Sequence, residues 1–262
     1  SGYGERGPYA KMKAYDLLIQ AETGLTSITG SPAEPGRVGV SIVDIAAGMY
    51  ATNAILQALI QRGRTGQGAA LAVSLFDALA DWMTVPLLHQ DMTGRAPARV
   101  GLAHPSIAPY GAYQTADGKA IVVAVQNERE WKRLCAGPLE DSDLADDPRF
   151  RNNEARVANR PALDAILVPA FGRETRAALA DRLRAADIAF GAVNSVADLS
   201  RHPQLRRVVL STPSGPVSIP APPVRFSDAA VEVGRVPRLG EQSESLRAEF
   251  ADDRESKVQG QR

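Results

Sequence analysis

Arg37-Val-Gly-Val-Ser-Ile-Val-Asp44-Ile-Ala-Ala-Gly48-Met49-Tyr50 places one carboxylate at the end of an apolar, strand-like run and directly before a small-residue helix. Val38, Val40, Ile42 and Val43 are expected to bury the backbone around it. A helix from about Ile45 to Gln61 would aim its N-terminal amides at the carboxylate, which favours the charged form. A carboxylate partly stripped of water yet held ionised can act as a nucleophile or a base. Asp is also a preferred helix N-cap. On this stretch alone both readings of Asp44 stand.

The flanking sequence extends the pattern. Met12 to about Thr29 carries apolar residues at helical spacing (Leu17, Leu18, Ala21, Leu25), and Ser31-Pro-Ala-Glu-Pro-Gly36 reads as a loop. Arg62–Gly68 reads as a turn into a strand-like Ala69–Leu75, followed by a helix from about Phe76 to Met92. Strand alternating with helix predicts an α/β layer arrangement. The Gly/Pro-rich stretch Thr93–Pro109 is expected to join two domains. Beyond it, Tyr110–Thr115 and Lys119–Val125 flank Ala116-Asp-Gly118, a hairpin signal. A helix around Trp131, two amphipathic helices over Pro161–Phe171 and Glu174–Ala186, and a short buried strand over Ile188–Val193 follow. Pro213–Pro223 is too rich in proline for a central strand and reads as an extended crossing segment. Gly240–Phe250 reads as a last helix and Ala251–Arg262 as a frayed tail.

Bulk properties narrow the function classes. The chain has 262 residues, of which 44% are hydrophobic and 23% charged, as in an ordinary globular protein. Thirty basic residues balance thirty acidic ones, so nucleic acid and anionic membrane surfaces are not expected partners. Polar residues interrupt the apolar stretches, so no membrane span is expected either. Cys135 is the only cysteine, which fits a reducing, cytoplasmic setting. Ser1-Gly-Tyr-Gly-Glu-Arg-Gly-Pro-Tyr9 reads as the interior of a longer protein.

By spacing alone, no other cluster names a reaction. His89, His104 and His202 are scattered and form no metal-ligand pattern, so no metal is expected. Gly63-Arg-Thr-Gly-Gln-Gly68 lacks the Gly-Lys-Ser/Thr ending of a phosphate loop and reads as a turn. Asp77 and Asp81 lie near a helix start, where the dipole alone favours acids. Lys13 could neutralise an oxyanion or phosphate and Tyr15 could donate its phenol, although pattern alone makes them surface residues.

The order of motifs is more specific. Gly7-Pro8-Tyr9, Lys13-Ala-Tyr15-Asp16, Thr29-Gly30, Asp44, Gly48-Met49, Thr65-Gly66, Gly68 and Ser74-Leu-Phe-Asp77 together resemble the class III CoA-transferase family (CaiB/BaiF type). That family also contains the α-methylacyl-CoA racemases. The likeness continues through His104-Pro105, Pro109-Tyr110-Gly111, Gln126–Trp131, Asp147-Pro-Arg-Phe150, His202-Pro203 and Leu239-Gly-Glu241. It implies an α/β fold with part of a Rossmann-like large domain over 1–95, a smaller α+β domain over 96–205 and a C-terminal segment over 206–262. It further implies an interlocked homodimer. Family members are longer, and their N-terminal portion supplies much of the CoA-binding surface.

Asp44 falls on the family's catalytic aspartate. The resemblance implies a carboxylate that attacks an acyl-CoA thioester, forming an aspartyl anhydride and then an aspartyl-CoA thioester. Lys13 and Tyr15 are implied contacts to CoA or the acyl group, with coenzyme A serving as substrate and no permanently bound cofactor. His104 and Ser106 fall in the active-site lid. Racemases of the family carry a His where this chain has Tyr15, and a phenol with a pKa of roughly 10 is a poor partner for two-base proton exchange. Formyl-CoA transferases carry a glycine run at the lid, whereas this chain has Pro105 and Ile107, which argues against oxalate. The lid instead resembles the subgroup handling C4–C5 dicarboxylates such as succinyl-CoA, mesaconyl-CoA and itaconate. Arg37, Arg95 and Arg99 are candidates to bind the distal carboxylate of such an acid, because guanidinium pairs carboxylate bidentately. The alternatives are a 2-methylacyl-CoA racemase and an inactive CoA-binding or dimerisation fragment.

Overall fold

A computed structural model describes residues 1–225, 227 and 233–250. The chain forms two compact units, 1–193 and 194–262. In the first unit, helices α1 (Asp16–Glu22) and α2 (Leu25–Ile28) are separated by Gly24 at φ 81°. The single helix expected over 12–29 is therefore broken where a left-handed residue cannot continue it. Next come α3 (Ile42–Thr65), α4 (Leu75–Trp82) and α5 (Thr84–Thr93). The expected helix from Phe76 to Met92 divides at Met83, three residues before Pro86 in the first turn of α5, where its missing N–H costs nothing.

Neither expected strand of this region forms, so among the described residues 1–95 the architecture is helical rather than Rossmann-like. The backbone groups that a sheet would use are claimed elsewhere. Val38 N donates to the Gln20 side chain at 2.9 Å and Val43 N to Asp16 at 2.8 Å. With Val43 N capped in this way, helix begins at Ile42 instead of Ile45. Residues 69–74 form no strand, and α4 takes Leu75; the partners here are the first two residues: Ser1 N donates to Val73 O at 2.9 Å, and Leu75 N and Phe76 N return to Ser1 O and Gly2 O. The turn expected over 62–68 is helical to Thr65 and ends on Gly66 at φ 71°. Ile19, Val43 and Leu79 form a small buried core here, with Tyr3, Leu25, Leu75 and Phe76 packed around it.

Helix α3 leaves Ile45, Met49, Leu56 and Ile60 exposed at helical spacing. By length and mean hydropathy (1.3) it is apolar enough to cross a membrane, contrary to the sequence expectation. Thr52, Asn53 and Gln57 interrupt the apolar sequence without lowering the average below that level.

Beyond the irregular connector, β1 (Tyr110–Gln114), β2 (Ala120–Ala124) and β3 (Ala189–Ala192) form an antiparallel sheet in the order β1-β2-β3. The hairpin register sets Gln114 opposite Ala120 around the Ala-Asp-Gly turn. Strand β3 is an exposed edge rather than the buried strand expected; only Ile188 just before it is buried. Gly111 and Tyr113 on β1 and Ile121 and Val123 on β2 are buried, while the intervening residues are half-buried. Against this face pack α6 (Glu128–Ala136), a short 3₁₀ turn (Ser142–Ala145), α7 (Asn153–Ala158), α8 (Arg160–Phe171) and α9 (Arg176–Ala185). Trp131, Leu134, Leu163, Leu167, Leu179 and Leu183 fill the core. Thr175 caps α9 by accepting from Ala178 N.

The second unit holds α10 (Val196–Ser200), closed by a Ser195/Asp198 capping box, and a ribbon of β4 (Arg207–Thr212) and β5 (Gly215–Pro220). Pro216 and Pro220 sit in β5, an edge strand rather than a central one. A two-stranded ribbon has only edges, so each proline can turn its missing donor outward. Residues 243–250 are helical. The expected tail over 251–262 lies outside the described residues.

Two positions test these constraints. Gly30 has φ +114°, and a Cβ there would stand 2.4 Å from Glu34 O and 2.5 Å from Gly36 N, both backbone atoms. Gly30→Ala is expected to lower stability by about 2–4 kcal/mol in urea denaturation. Asp117, which accepts from Thr115 Oγ1 and from Arg176 N, ties the hairpin turn to α9. These bonds, Thr115's first, lower its carboxyl from 3.8 to about 2. Its stabilisation is complete above the higher value and is lost as pH falls toward the lower. Urea midpoints of Asp117→Asn should therefore fall less steeply than those of the unsubstituted chain over that acid window.

Candidate active site

Asp44 occupies the third position of α3, one turn further into the helix than a cap. Its carboxylate is exposed, and no described residue donates a hydrogen bond to it. Of the residues expected to bury its surroundings, Val43 is fully buried, whereas Val40 is 55% exposed. Val38 and Ile42 are half-buried, so Asp44 stands wetter than the apolar run implied. What fixes Asp44 is the helix start beneath it. Asp16 Oδ2 accepts from Val43 N, and Gln20 Nε2 donates to Asp16 Oδ1 at 2.6 Å. Gln20 Oε1 accepts from Val38 N, so one fully buried glutamine and its neighbour hold both ends of the segment leading into α3. Asp16 and Gln20 stand one helical turn apart beside buried Ile19. Their spacing was the only sequence sign of this brace.

The same bond brings the Lys13–Asp16 stretch against the first turn of α3. Tyr15 is the N-cap residue of α1 and is 67% exposed; Lys13 is exposed and makes no ion pair among the described residues. Lys13, Tyr15 and Asp44 are thus grouped by a contact that neither Lys13 nor Tyr15 makes itself. Arg37 lies at the edge of this group with its guanidinium on Gly39 O at 3.1 Å.

Arg99 is not free for a substrate. It donates to the carbonyls of Ser27, Ser31 and Pro32 and so fastens the connector to the loop after α2. Gly101 N adds a bond of 3.0 Å to Gly30 O in the same place. No described bond engages the Arg95 guanidinium; its carbonyl takes the proton of His89 Nδ1 at 2.7 Å.

His104 and Ser106 form a second group at the far end of the connector. The His104 ring stacks on Tyr110 (5.2 Å between centroids, 18° between planes). Ser106 N donates to His104 Nδ1 at 3.2 Å, which leaves the ring proton of a neutral imidazole on Nε2. Among the described residues no hydrogen bond or ion pair joins this group to Lys13, Tyr15, Arg37 or Asp44.

The remaining candidates have local roles. Ser74 caps α4 and donates to Asp77 at 2.6 Å, and Tyr50 donates to Asp81, a bond that raises the Tyr50 phenol pKa. His202 Nδ1 accepts from Gln204 N. The described residues contain no cluster able to hold a metal. An apolar cavity of about 360 Å³ lies between Gly24, Ile28, Phe76, Met83 and Pro97, and none of the candidate residues lines it.

The acetyl-CoA:oxalate CoA-transferase of Acetobacter aceti is 38% identical over 255 residues, covering 96% of this chain and 65% of that protein. The succinate–glutarate CoA-transferase of Agrobacterium fabrum is 34% identical over 258 residues, covering 95% of this chain and 64% of the relative. A solved CaiB/BaiF family protein from Brucella suis matches with a TM-score of 0.80 at 37% identity, over 95% of this chain and 66% of its own. The chain thus spans about 65% of the length of the curated relatives it matches. The family model described as CoA-transferase family III aligns with residues 1–243. An exposed carboxylate on a braced helix start, a matching fold and a family model across nearly the whole sequence have one common account: the chain belongs to CoA-transferase family III.

Proposed function

We propose that this chain carries the nucleophile of an enzyme that moves CoA from a short-chain dicarboxylic acyl-CoA to a free carboxylic acid. The exposed carboxylate of Asp44, held on the braced first turn of α3, is the observation that carries the reading. An Asp44 oxygen attacks the thioester carbonyl, the C–S bond breaks and CoA leaves as thiolate, giving a mixed anhydride. The thiolate then attacks the Asp44 acyl carbon and expels the donor acid as carboxylate. The acceptor carboxylate reverses the two steps, so no water is consumed and the thioester free energy is conserved. The dipole of α3 favours the anionic nucleophile at its N-terminus. Excluding water protects the anhydride.

In this reading Lys13 and Tyr15 contact CoA or the acyl group, Arg37 meets the distal carboxylate, and His104 and Ser106 belong to the loop over the acyl site. Arg99 drops out, since three backbone carbonyls occupy its guanidinium. Tyr15 in place of His favours transfer over racemisation. Succinate and glutarate in the name of one relative support a C4–C5 dicarboxylate; oxalate in the name of another keeps the shorter diacid in the acceptor set despite Pro105 and Ile107. A homodimer would cover the bare apolar stripe of α3. A cytoplasmic setting accords with Cys135, a free thiol that burial pushes up to about 12.

The test is trapping. With succinyl-CoA and hydroxylamine, mass spectrometry should place the hydroxamate on Asp44, and Asp44→Ala should lower exchange by at least about 10³-fold. An adduct on another residue, or turnover that survives Asp44→Ala, would sink the proposal.

A further inference from the structure

The loop from His104 to Ala108 is short, contains Pro105 and lies at the end of an irregular connector. The family resemblance implies a lid here, yet the backbone is held from one side. Arg160 Nη2 donates to His104 O at 2.8 Å and to Ile107 O at 2.6 Å. Asn153 Nδ2 donates to Ser106 O at 2.9 Å while its Oδ1 accepts from Ala108 N at 3.1 Å. Arg156 Nε donates to Ala108 O at 2.6 Å. Four of the five carbonyls over 104–108 are therefore bonded to three side chains spaced three and four residues apart, one helical face running from α7 into α8. Arg156 is only 1% exposed and is itself locked to Glu128 and Phe150 O. A loop tethered this way is a wall rather than a gate.

Its orientation has a chemical consequence. With the backbone fixed, Ser106 N is held against His104 Nδ1 and the ring is held on Tyr110. The Ser106 N–H selects the neutral tautomer protonated at Nε2, the stacking fixes the ring plane, and Nε2–H is left as a donor with no described partner. An N–H held in place before the reaction is worth most against an oxygen that gains charge as a thioester or anhydride carbonyl is attacked.

We propose that Asn153, Arg156 and Arg160 are positioning residues for acyl transfer, holding the 104–108 loop so that His104 presents Nε2–H to the acyl oxygen. This rests on the transferase reading given above. Arg160 is the most informative member, because both of its bonds come from a single nitrogen. An ammonium also places several donors on one nitrogen, so Arg160→Lys can replace it, whereas Arg160→Met cannot.

The experiment uses the full chain and two readouts. Long-range ¹H–¹⁵N spectra report the His104 ring, assigned by the signals missing in His104→Gln. The unsubstituted chain and Arg160→Lys should show a single Nε2–H tautomer, and Arg160→Met a mixture. In CoA exchange between succinyl-CoA and glutarate, Arg160→Met should lower kcat on the order of 10²-fold with the acyl-CoA KM within about twofold. Arg160→Lys should retain most of the rate. Asn153→Ala, which removes the other two-bond tether, should repeat the Arg160→Met pattern and serves if that variant does not fold. A tautomer unchanged in Arg160→Met or Asn153→Ala overturns the proposal, as does a lost tautomer with unchanged kcat or a change in KM alone. If the unsubstituted chain shows no exchange, it is the transferase reading that fails. The tautomer comparison needs no substrate and still decides whether the clamp sets the ring.

Discussion

One buried guanidinium organises the larger hydrophobic core. Arg156 brings five N–H donors into a place where water cannot serve them, so every donor needs a partner supplied by the fold. Its neighbours meet that demand from four separate places in the sequence. Ala108 O ends the connector, Phe150 O closes the turn before α7, Glu128 opens α6, and the Trp131 ring lies 5.0 Å beneath the guanidinium carbon. Glu128 is 47% exposed on its side chain, so the ion pair itself sits near solvent and contributes modestly. The carbonyl bonds matter more, because each of those acceptors would otherwise be stranded in the interior. Arg156 thereby fixes the connector at Ala108, where it meets the sheet, while Arg160 holds His104 O.

The helical region around Asp44 is held by different means. Its buried core is Ile19, Val43 and Leu79 with the small side chains of Ala46 and Ala78, too little apolar area to fix an element by packing alone. Directional bonds compensate. Asp16 and Gln20 hold the start of α3, Arg99 and Gly101 hold the loop after α2, and Ser1 and Gly2 hold the segment before α4. Such a scaffold keeps the Asp44 carboxylate in place without enclosing it. The large exposed side chains along α3 are the counterpart of the small core, since apolar surface that this region does not bury within itself remains on view.

This division also explains what could be read from the sequence. The hairpin at Ala116-Asp-Gly118, the helix around Trp131, α8 and α9 were legible because each is specified by residues within a few positions of one another. The strands expected at 38–43 and 69–75 failed for the opposite reason. Their composition is strand-like, but their backbone groups pair with Gln20, Asp16 and Ser1, and period-two patterning carries no information about such partners. Asp44 stood out through its setting and through the order of family motifs. Asp16, Gln20, Asn153, Arg156 and Arg160 did not, because a polar residue that bonds a backbone group far along the chain has the same local signature as one facing water. Arg99 was misread in the same way: its charge suggested a substrate carboxylate, and its geometry serves three carbonyls.

The two-point attachment of the segment before α3 has a consequence for variation. Val38 is tied to Gln20 and Val43 to Asp16, so both ends rest on the same rigid turn of α1. Gly39, Val40 and Ser41 between them are exposed and bear none of that load. The segment behaves as a small replaceable cartridge: its side chains can be exchanged to present a different surface beside the carboxylate while the carboxylate stays where it is. In the function proposed above, the surface offered to the acceptor and the position of the nucleophile are thereby separable within a stretch of seven residues, 38–44.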